Sequence, residues 1–259
     1  MTPEPRHWSG VGFVVLLLVA WEAIARLQLV RSMFFPPATT IFATLWSLTV
    51  SLELVREYAA TLWRAVAGFS MAACLGVVTG AAMGFYRPAF SLLEPLIEML
   101  RSIPTVALIP IAILLLGIDD AMKIFVITWA CFFPIWINTL EGVRSVDKEL
   151  MDTARTFRFS DAATLMKIVL PFAFPAIFTG MRISVAFALI LTVIAEMIAG
   201  ESGIGRFILE SEAAFRIPQM YAGVFSLAIV GYGLNRLFLL AERRLLHWHY
   251  SAARANIGS

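Results

Sequence analysis

Three ionisable side chains sit inside long apolar runs of this sequence: Arg101, Arg182 and Glu196. An ionised group at the middle of a bilayer costs about 2.5–3.5 kcal/mol on insertion scales, so each implies a partner or a polar path. Arg101 stands near the start of its run, where it can snorkel to the interface or neutralise a passing anion. Arg182 lies deeper. Glu196 follows it by 14 residues, about 21 Å along one helix, so the two cannot pair and each needs a partner on another helix. Pro104 and Pro110 interrupt the run that Arg101 opens. Each removes an intrahelical hydrogen bond, which reads either as a plain kink or as a break lining a transport pathway. This chemistry is passage of a solute rather than bond-making. The nucleotide-binding pattern GxxxxGK followed by Ser or Thr is absent, and Gly200, Gly203 and Gly205 are not in dinucleotide-binding order. His247 and His249 are two apart, about 200° around a helix, which is poor for one metal. They read as polar anchors flanking an interfacial Trp248.

Composition identifies the solvent. Of 259 residues, 60% are hydrophobic and 15% charged, against about 25% charged in soluble domains. Mean hydropathy is +0.83. A single soluble core buries only about three quarters of its chain's surface, so the class is an all-α polytopic membrane protein with about six transmembrane helices. A net charge of +2 with no basic stripe gives no footprint for nucleic acid. Cys74 and Cys131 lie in apolar runs and read as packing residues, not a disulfide.

The spans fall at residues 8–29, 62–86, 95–116, 122–140, 172–199 and 221–240. The first competes with a cleaved signal peptide ending near Ala23-Ile24-Ala25, but it outruns the usual apolar length and five spans follow. Within it Glu22 and Arg26 are spaced to pair. Ile41, Leu45, Leu48, Leu52 and Val55 predict an amphipathic helix, capped by Thr39 or Thr40 and carrying Glu53, Arg56 and Glu57. Ala72, Gly76, Gly80 and Gly84 recur every four residues along span two, which lets a neighbouring helix approach closely. Residues 117–120 form a turn and residues 200–219 a mixed-charge loop. The chain divides into an N-terminal part (1–58), a core (59–245) holding a polar segment (141–170), and a tail (246–259).

Counting Lys and Arg orients the chain. With both termini cytoplasmic, the inner segments hold Arg6, Arg87, Arg144, Lys148, Arg155, Arg158, Lys167, Arg243, Arg244 and Arg254. The outer segments hold Arg31, Arg56, Arg206 and Arg216. The polar segment is then cytoplasmic. It predicts a short helix over 146–156, a turn at Arg158-Phe159-Ser160, and a second short helix over 161–168 with Ser160 as N-cap, ended by Leu170-Pro171. A helix-turn-helix between two spans is more than a connector needs, and it suits docking of a soluble partner.

These residues carry a resemblance. Asp152-Thr153-Ala154-Arg155-Thr156, followed by Ile168-Val169-Leu170-Pro171, resembles the EAA loop of binding-protein-dependent ABC importer permeases. Arg101-Ser102-Ile103-Pro104 with Pro110 and Leu116-Gly117-Ile118 is similar to a segment of the nitrate/sulfonate/taurine branch. So are Phe133-Pro134, Asn138-Thr139 and Gly142-Val143-Arg144 before the loop. After it come Gly180-Met181-Arg182-Ile183, Ala195-Glu196-Met197 and Gly203-Ile204-Gly205. The likeness spans residues 60–245. Two positions depart from the pattern: Asp152 stands for Glu, and Arg158-Phe159 stand for Gly and a small residue. If that turn needs positive φ, Arg158 costs about 1 kcal/mol or more there.

The resemblance implies a type I importer permease in a bacterial inner membrane, not an enzyme. It implies a second permease copy (most simply a homodimer), two ATPase subunits carrying ATP and Mg, and an external substrate-binding protein. It places Asp152, Thr153, Ala154, Arg155, Arg158, Ser160 and Asp161 at the ATPase contact. Arg101, Pro104, Arg182 and Glu196 belong to the pathway or its gating, with Arg182 in a structural or gating ion pair. No cofactor or metal is expected in this chain. The implied solute is an aliphatic sulfonate, taurine or nitrate, with a thiamine precursor or similar heterocycle as the alternative. A gradient-driven secondary transporter would predict internal repeats, and a membrane enzyme would need clustered His, Asp or Ser at one face. Neither pattern is present.

Overall fold

The computed structural model describes residues 6–29 and 33–245, with side chains from residue 12 onward. Arg31 and the tail holding His247, Trp248, His249 and Arg254 lie outside the described residues. Helices follow one another as α1 (Arg6–Arg26), α2 (Ala38–Val50), α3 (Glu53–Phe85), α4 (Arg87–Arg101), α5 (Ile109–Leu116) and α6 (Asp120–Arg144). Then come α7 (Lys148–Thr156), α8 (Asp161–Thr164), α9 (Leu170–Ala199), α10 (Ile204–Ala213) and α11 (Ile217–Leu245), with no strand among the described residues. The all-α polytopic class holds. Four stretches are long and apolar enough to cross a membrane: α3, α6, residues Asp161–Ala199 and α11. Counting the bent α4–α5 pair makes up to five. α1, the expected first span, has 21 residues and stands outside that set.

The core is a three-helix stack with α6 in the middle. Its residues Met122, Val126, Ile127, Cys131 and Ile135 are buried between α3 and α9. The small-residue stripe of α3 makes this possible. A Cβ at Gly76 would lie 2.9 Å from Ile135, and one at Gly84 would lie 2.7 Å from Val143. Gly68 extends the stripe one turn further, with a Cβ there 2.6 Å from Ile127. At Gly80 the obstacle is backbone: the Trp136 carbonyl oxygen would be 2.7 Å away. Gly80→Ala is therefore expected to destabilise the fold by about 1–3 kcal/mol, because backbone cannot move aside as a side chain can. Gly233→Ala is the control, having nothing within 4 Å of its Cβ. Equal thermal midpoints for the two variants in detergent would refute the close approach.

On the other side of α6, a Cβ at Gly142 would meet that of Ala176 at 2.7 Å. Ser184 Oγ donates to the Cys131 carbonyl at 2.8 Å. Both cysteines are free; Cys131 is buried as expected, whereas Cys74 is exposed on the outer face of α3.

Five features of the chain differ from expectation. The amphipathic helix does not run to Val55: Leu52 takes φ 62°, ending α2 and starting α3. Glu53, Arg56 and Glu57 therefore belong to the long helix of span two. The N-cap of α2 is Pro37 rather than a threonine. Its first turn is served instead by Glu22 of α1, which accepts from Thr39 N at 3.1 Å and Thr39 Oγ1 at 2.9 Å. A carboxylate at a helix N-terminus is favoured by the unpaired N–H groups there. Glu22 also makes the expected pair with Arg26, at 2.6 Å.

Span three is discontinuous, bent by 88° between α4 and the segment Thr105–Leu116. Only Pro104 sits at the break. Pro110 is in the first turn of α5, where its missing N–H has no partner to lose. The 200–219 segment is not a plain loop. α10 dips back, burying Ile204, Phe207 and Ile208 against Ile41 and Leu48 of α2. Finally, Leu170-Pro171 does not end the second short helix of the polar segment. Leu170 N bonds to the Leu165 carbonyl in a π turn over Leu165–Val169, and the chain continues unbroken into α9.

Candidate functional site

Two polar regions lie at opposite ends of the α3–α6–α9 stack. One is the α7–α8 connector between α6 and α9. α7 ends in a Schellman motif: Phe159 N bonds to the Ala154 carbonyl at 3.0 Å, and Arg158 N to the Arg155 carbonyl at 2.9 Å. This geometry requires a left-handed residue after the cap, and Arg158 supplies it with φ 54°. The left-handed turn forms here without a glycine. Ser160 then caps α8, accepting from Ala163 N at 3.3 Å as its position predicted. Ala154 turns inward and is buried, while Asp152 and Arg155 pair only with each other, at 3.3 Å. Their side chains are 70% and 78% exposed, so that pair contributes little and both remain open to a partner. Thr153 and Asp161 are also exposed. Arg158→Gly is expected to raise stability by about 0.5–1 kcal/mol by removing the Cβ clash of the left-handed conformation. A lower thermal midpoint for this variant would show that the arginine side chain offsets its own strain.

The second region gathers around Glu196, near the C-terminal end of α9. Its carboxylate has no solvent exposure and pairs with Arg64 Nη1 of α3 at 2.7 Å. Thr61 Oγ1 lies 3.0 and 2.9 Å from the two carboxylate oxygens, and Gly205 N donates at 3.1 Å. Arg64 spends its remaining donors on Asp120 Oδ1 at 2.7 Å, and on the Ser202 carbonyl and Oγ, each at 2.8 Å. Lys123 stands 3.8 Å from Asp120. Glu57 accepts from Gly203 N, and Thr61 Oγ1 accepts from Ile204 N at 2.9 Å. The cluster thus ties α3, α6, α9 and the 200–205 loop together. Gly203 has φ 112°, and a Cβ there would fall on the Glu196 carboxylate. The loop needs glycine both for its conformation and for the space. Each charge in the cluster is hydrogen-bonded, which is the condition for tolerating charge in an apolar interior.

The remaining predicted residues are dispersed. Arg101 is exposed at the end of α4 and pairs locally with Glu98, at 2.8 Å. Pro104 makes the break that follows. Arg182 is exposed in the middle of α9. No hydrogen bond or ion pair links it to another group among the described residues, so the partner expected for it is not found among them.

A family model described as the binding-protein-dependent transport system inner membrane component matches residues 72–247. The chain belongs to this family. It is an inner-membrane permease subunit of the ABC importer type. A putative aliphatic sulfonates transport permease, SsuC of Bacillus subtilis, is 34% identical over 243 residues, covering 94% of this chain and 88% of the relative. The taurine transport permease TauC of Escherichia coli is 31% identical, over 93% and 89%. The bicarbonate transport permease CmpB of Synechococcus elongatus is 36% identical, over 72% and 68%. Among solved structures, a chain of the MetNI methionine ABC transporter in an inward facing conformation superposes with a TM-score of 0.64 at 18% identity. That match covers 75% of this chain and 94% of the other, and it shows a shared fold.

The permease also holds residues that sequence reasoning passed over. Thr61, Arg64 and Asp120 complete the Glu196 cluster. Arg64 stood near the start of the predicted second span, so the test that singled out Arg101 and Arg182 applied to it equally. Asp120 carried no such signal, because a turn is an ordinary place for an aspartate.

Proposed function

We propose that this permease moves a small oxyanion into the cytoplasm, by alternating access driven by separate ATPase subunits. Arg182 is the observation that carries the anion reading. It is a cation with no ion-pair partner among the described residues, halfway along a membrane-spanning helix, on a face that is exposed in a single copy. Lipid is an expensive neighbour for such a group, so this face lines a water-filled path or meets a second copy. The relatives named for sulfonates, taurine and bicarbonate support the same class of solute. In this reading both termini and α7 are cytoplasmic. Asp152, Thr153, Arg155, Arg158, Ser160 and Asp161 form the surface gripped by an ATPase subunit, one for each of two permease copies, with the buried Ala154 seating the helix beneath it; the ATPases hold ATP and Mg. Two permease copies pair as a homodimer, and a binding protein delivers solute at the Glu196 end. α7 joins the core through α6 and the unbroken α8–α9 helix, so a push on it is transmitted as rigid-body motion.

The test is gentle affinity purification from native membrane, with mass spectrometry of what accompanies the permease. Vanadate-sensitive uptake of taurine, alkanesulfonates, nitrate and bicarbonate by the reconstituted complex follows. A stoichiometric partner bearing GxxxxGK and uptake of one of these anions are the expected results. Purification alone with gradient-driven uptake would overturn the ATPase reading. Uptake confined to a neutral heterocycle would overturn the anion reading.

A further inference from the structure

At the end of the bundle that carries α7 lies a cavity of about 410 Å³. Its walls come from α3, α4, α6, α7 and the π turn. Met83 and Phe85 close α3, Arg87 opens α4, Arg144 closes α6, and Met151 belongs to α7. Val169 of the π turn completes it. The floor is apolar, and the two charged members are both guanidinium groups. Among the described residues neither Arg87 nor Arg144 meets a carboxylate. Arg144 is nonetheless held in place, its guanidinium carbon 3.7 Å from the centroid of the Phe90 ring. A cation stacked on an aromatic face keeps its N–H edge free for a planar or tetrahedral oxyanion. The Phe85 and Tyr86 rings pack edge to face at 4.9 Å in the turn beside the cavity. Aromatic residues at a span terminus mark the headgroup level of a bilayer.

We propose that Arg87 and Arg144 form a binding site for a phosphate-class oxyanion, occupied by the headgroup of an anionic phospholipid. The two guanidiniums take the phosphate oxygens, and the apolar floor takes the carbon skeleton beside them. A few hundred cubic ångströms is a usual size for a small-ligand site. An occupant touches Met151 and Val169, the helix and the turn that connect the α7 surface to the core. Lipid charge would therefore bear on how firmly α7 is seated. The site needs no assumption about the transported solute.

The probe is dioleoyl phosphatidylglycerol, with phosphatidylethanolamine as the neutral comparison. The read-out is native mass spectrometry of the full-length permease in mild detergent. The wild-type chain is expected to retain one phosphatidylglycerol per copy in preference to phosphatidylethanolamine. Arg87→Gln with Arg144→Gln is expected to weaken that binding about 25-fold, about five-fold per arginine near an anionic surface. The Arg87→Lys with Arg144→Lys pair keeps the charge and is expected to retain most of it. Phe90→Leu loosens Arg144 and is expected to cost a few-fold. This single variant and the lysine pair carry the test should the glutamine pair fail to fold. Displacement of phosphatidylglycerol by millimolar inorganic phosphate, with a phosphate adduct in its place, keeps the oxyanion site but assigns it to the free ion. Equal retention of the two lipids, or unchanged phosphatidylglycerol binding in the glutamine pair, overturns the proposal. So does loss of a co-purifying protein with lipid binding intact, because an acidic residue of that partner would then be the occupant.

Discussion

Replacing Arg64 by Met is expected to destabilise the permease by about 3–5 kcal/mol, the usual cost of leaving one partner of a buried ion pair alone. Glu196 would keep only Thr61 and the Gly205 N–H around a carboxylate with no access to solvent. Asp120 suffers less, because its side chain is 46% exposed and water can replace the guanidinium. Glu196→Met strands Arg64 in the same way, although Asp120 and Ser202 still hold it. The double variant Arg64→Met with Glu196→Met is expected to recover much of the loss, since no uncompensated charge then remains. Thermal midpoints of the three variants in detergent provide the cycle. Single variants within about 0.5 kcal/mol of wild type, the usual range for surface changes, would show that the cluster contributes nothing to the fold. The expected loss has a structural read-out as well. The 200–205 loop hangs on this cluster through Ser202, Gly203, Ile204 and Gly205, so protease nicking there should rise together with the drop in stability.

Arg182→Gln is expected to lower uptake about ten- to a hundred-fold, while the subunit still folds and assembles. The magnitude follows from losing one or two hydrogen bonds to a charged group, about 1.5–3 kcal/mol, read as a rate ratio. Folding is expected to survive because Arg182 makes no hydrogen bond or ion pair among the described residues that its removal could break. This separates it from Arg64, whose loss acts on stability first. Arg182→Lys keeps the charge without the planar fork, and is expected to fall between the two. Uptake at the wild-type rate with glutamine at position 182 would remove Arg182 from the pathway and with it the main support for an anionic solute.

Sequence alone determined the solvent of this protein. The excess of apolar over charged residues admits no soluble core, and periodic apolar runs in a bilayer leave helices as the solution. It also carried the features whose rules are local. The α3 stripe needs only glycine spacing, the Glu22–Arg26 pair only an i,i+4 step, and the Ser160 cap only its place before α8. The question at Arg158 was legible too, since a bulky residue stood where the resembling pattern has glycine, and the structure answers it with φ 54°. Tertiary structure decided whatever depends on which chain segments meet. That Glu196 needed a partner was clear from its depth, but the partner is 132 residues away on α3, and nothing in the spacing points there. The π turn before Pro171 and the left-handed Leu52 are likewise settled by packing. Each is a local cost that the helices on either side impose, because burying their apolar faces outweighs one irregular turn. The 88° break after α4 follows the same logic. Proline permitted a kink at residue 104, but its angle was set by the surfaces that α4 and α5 each found to cover.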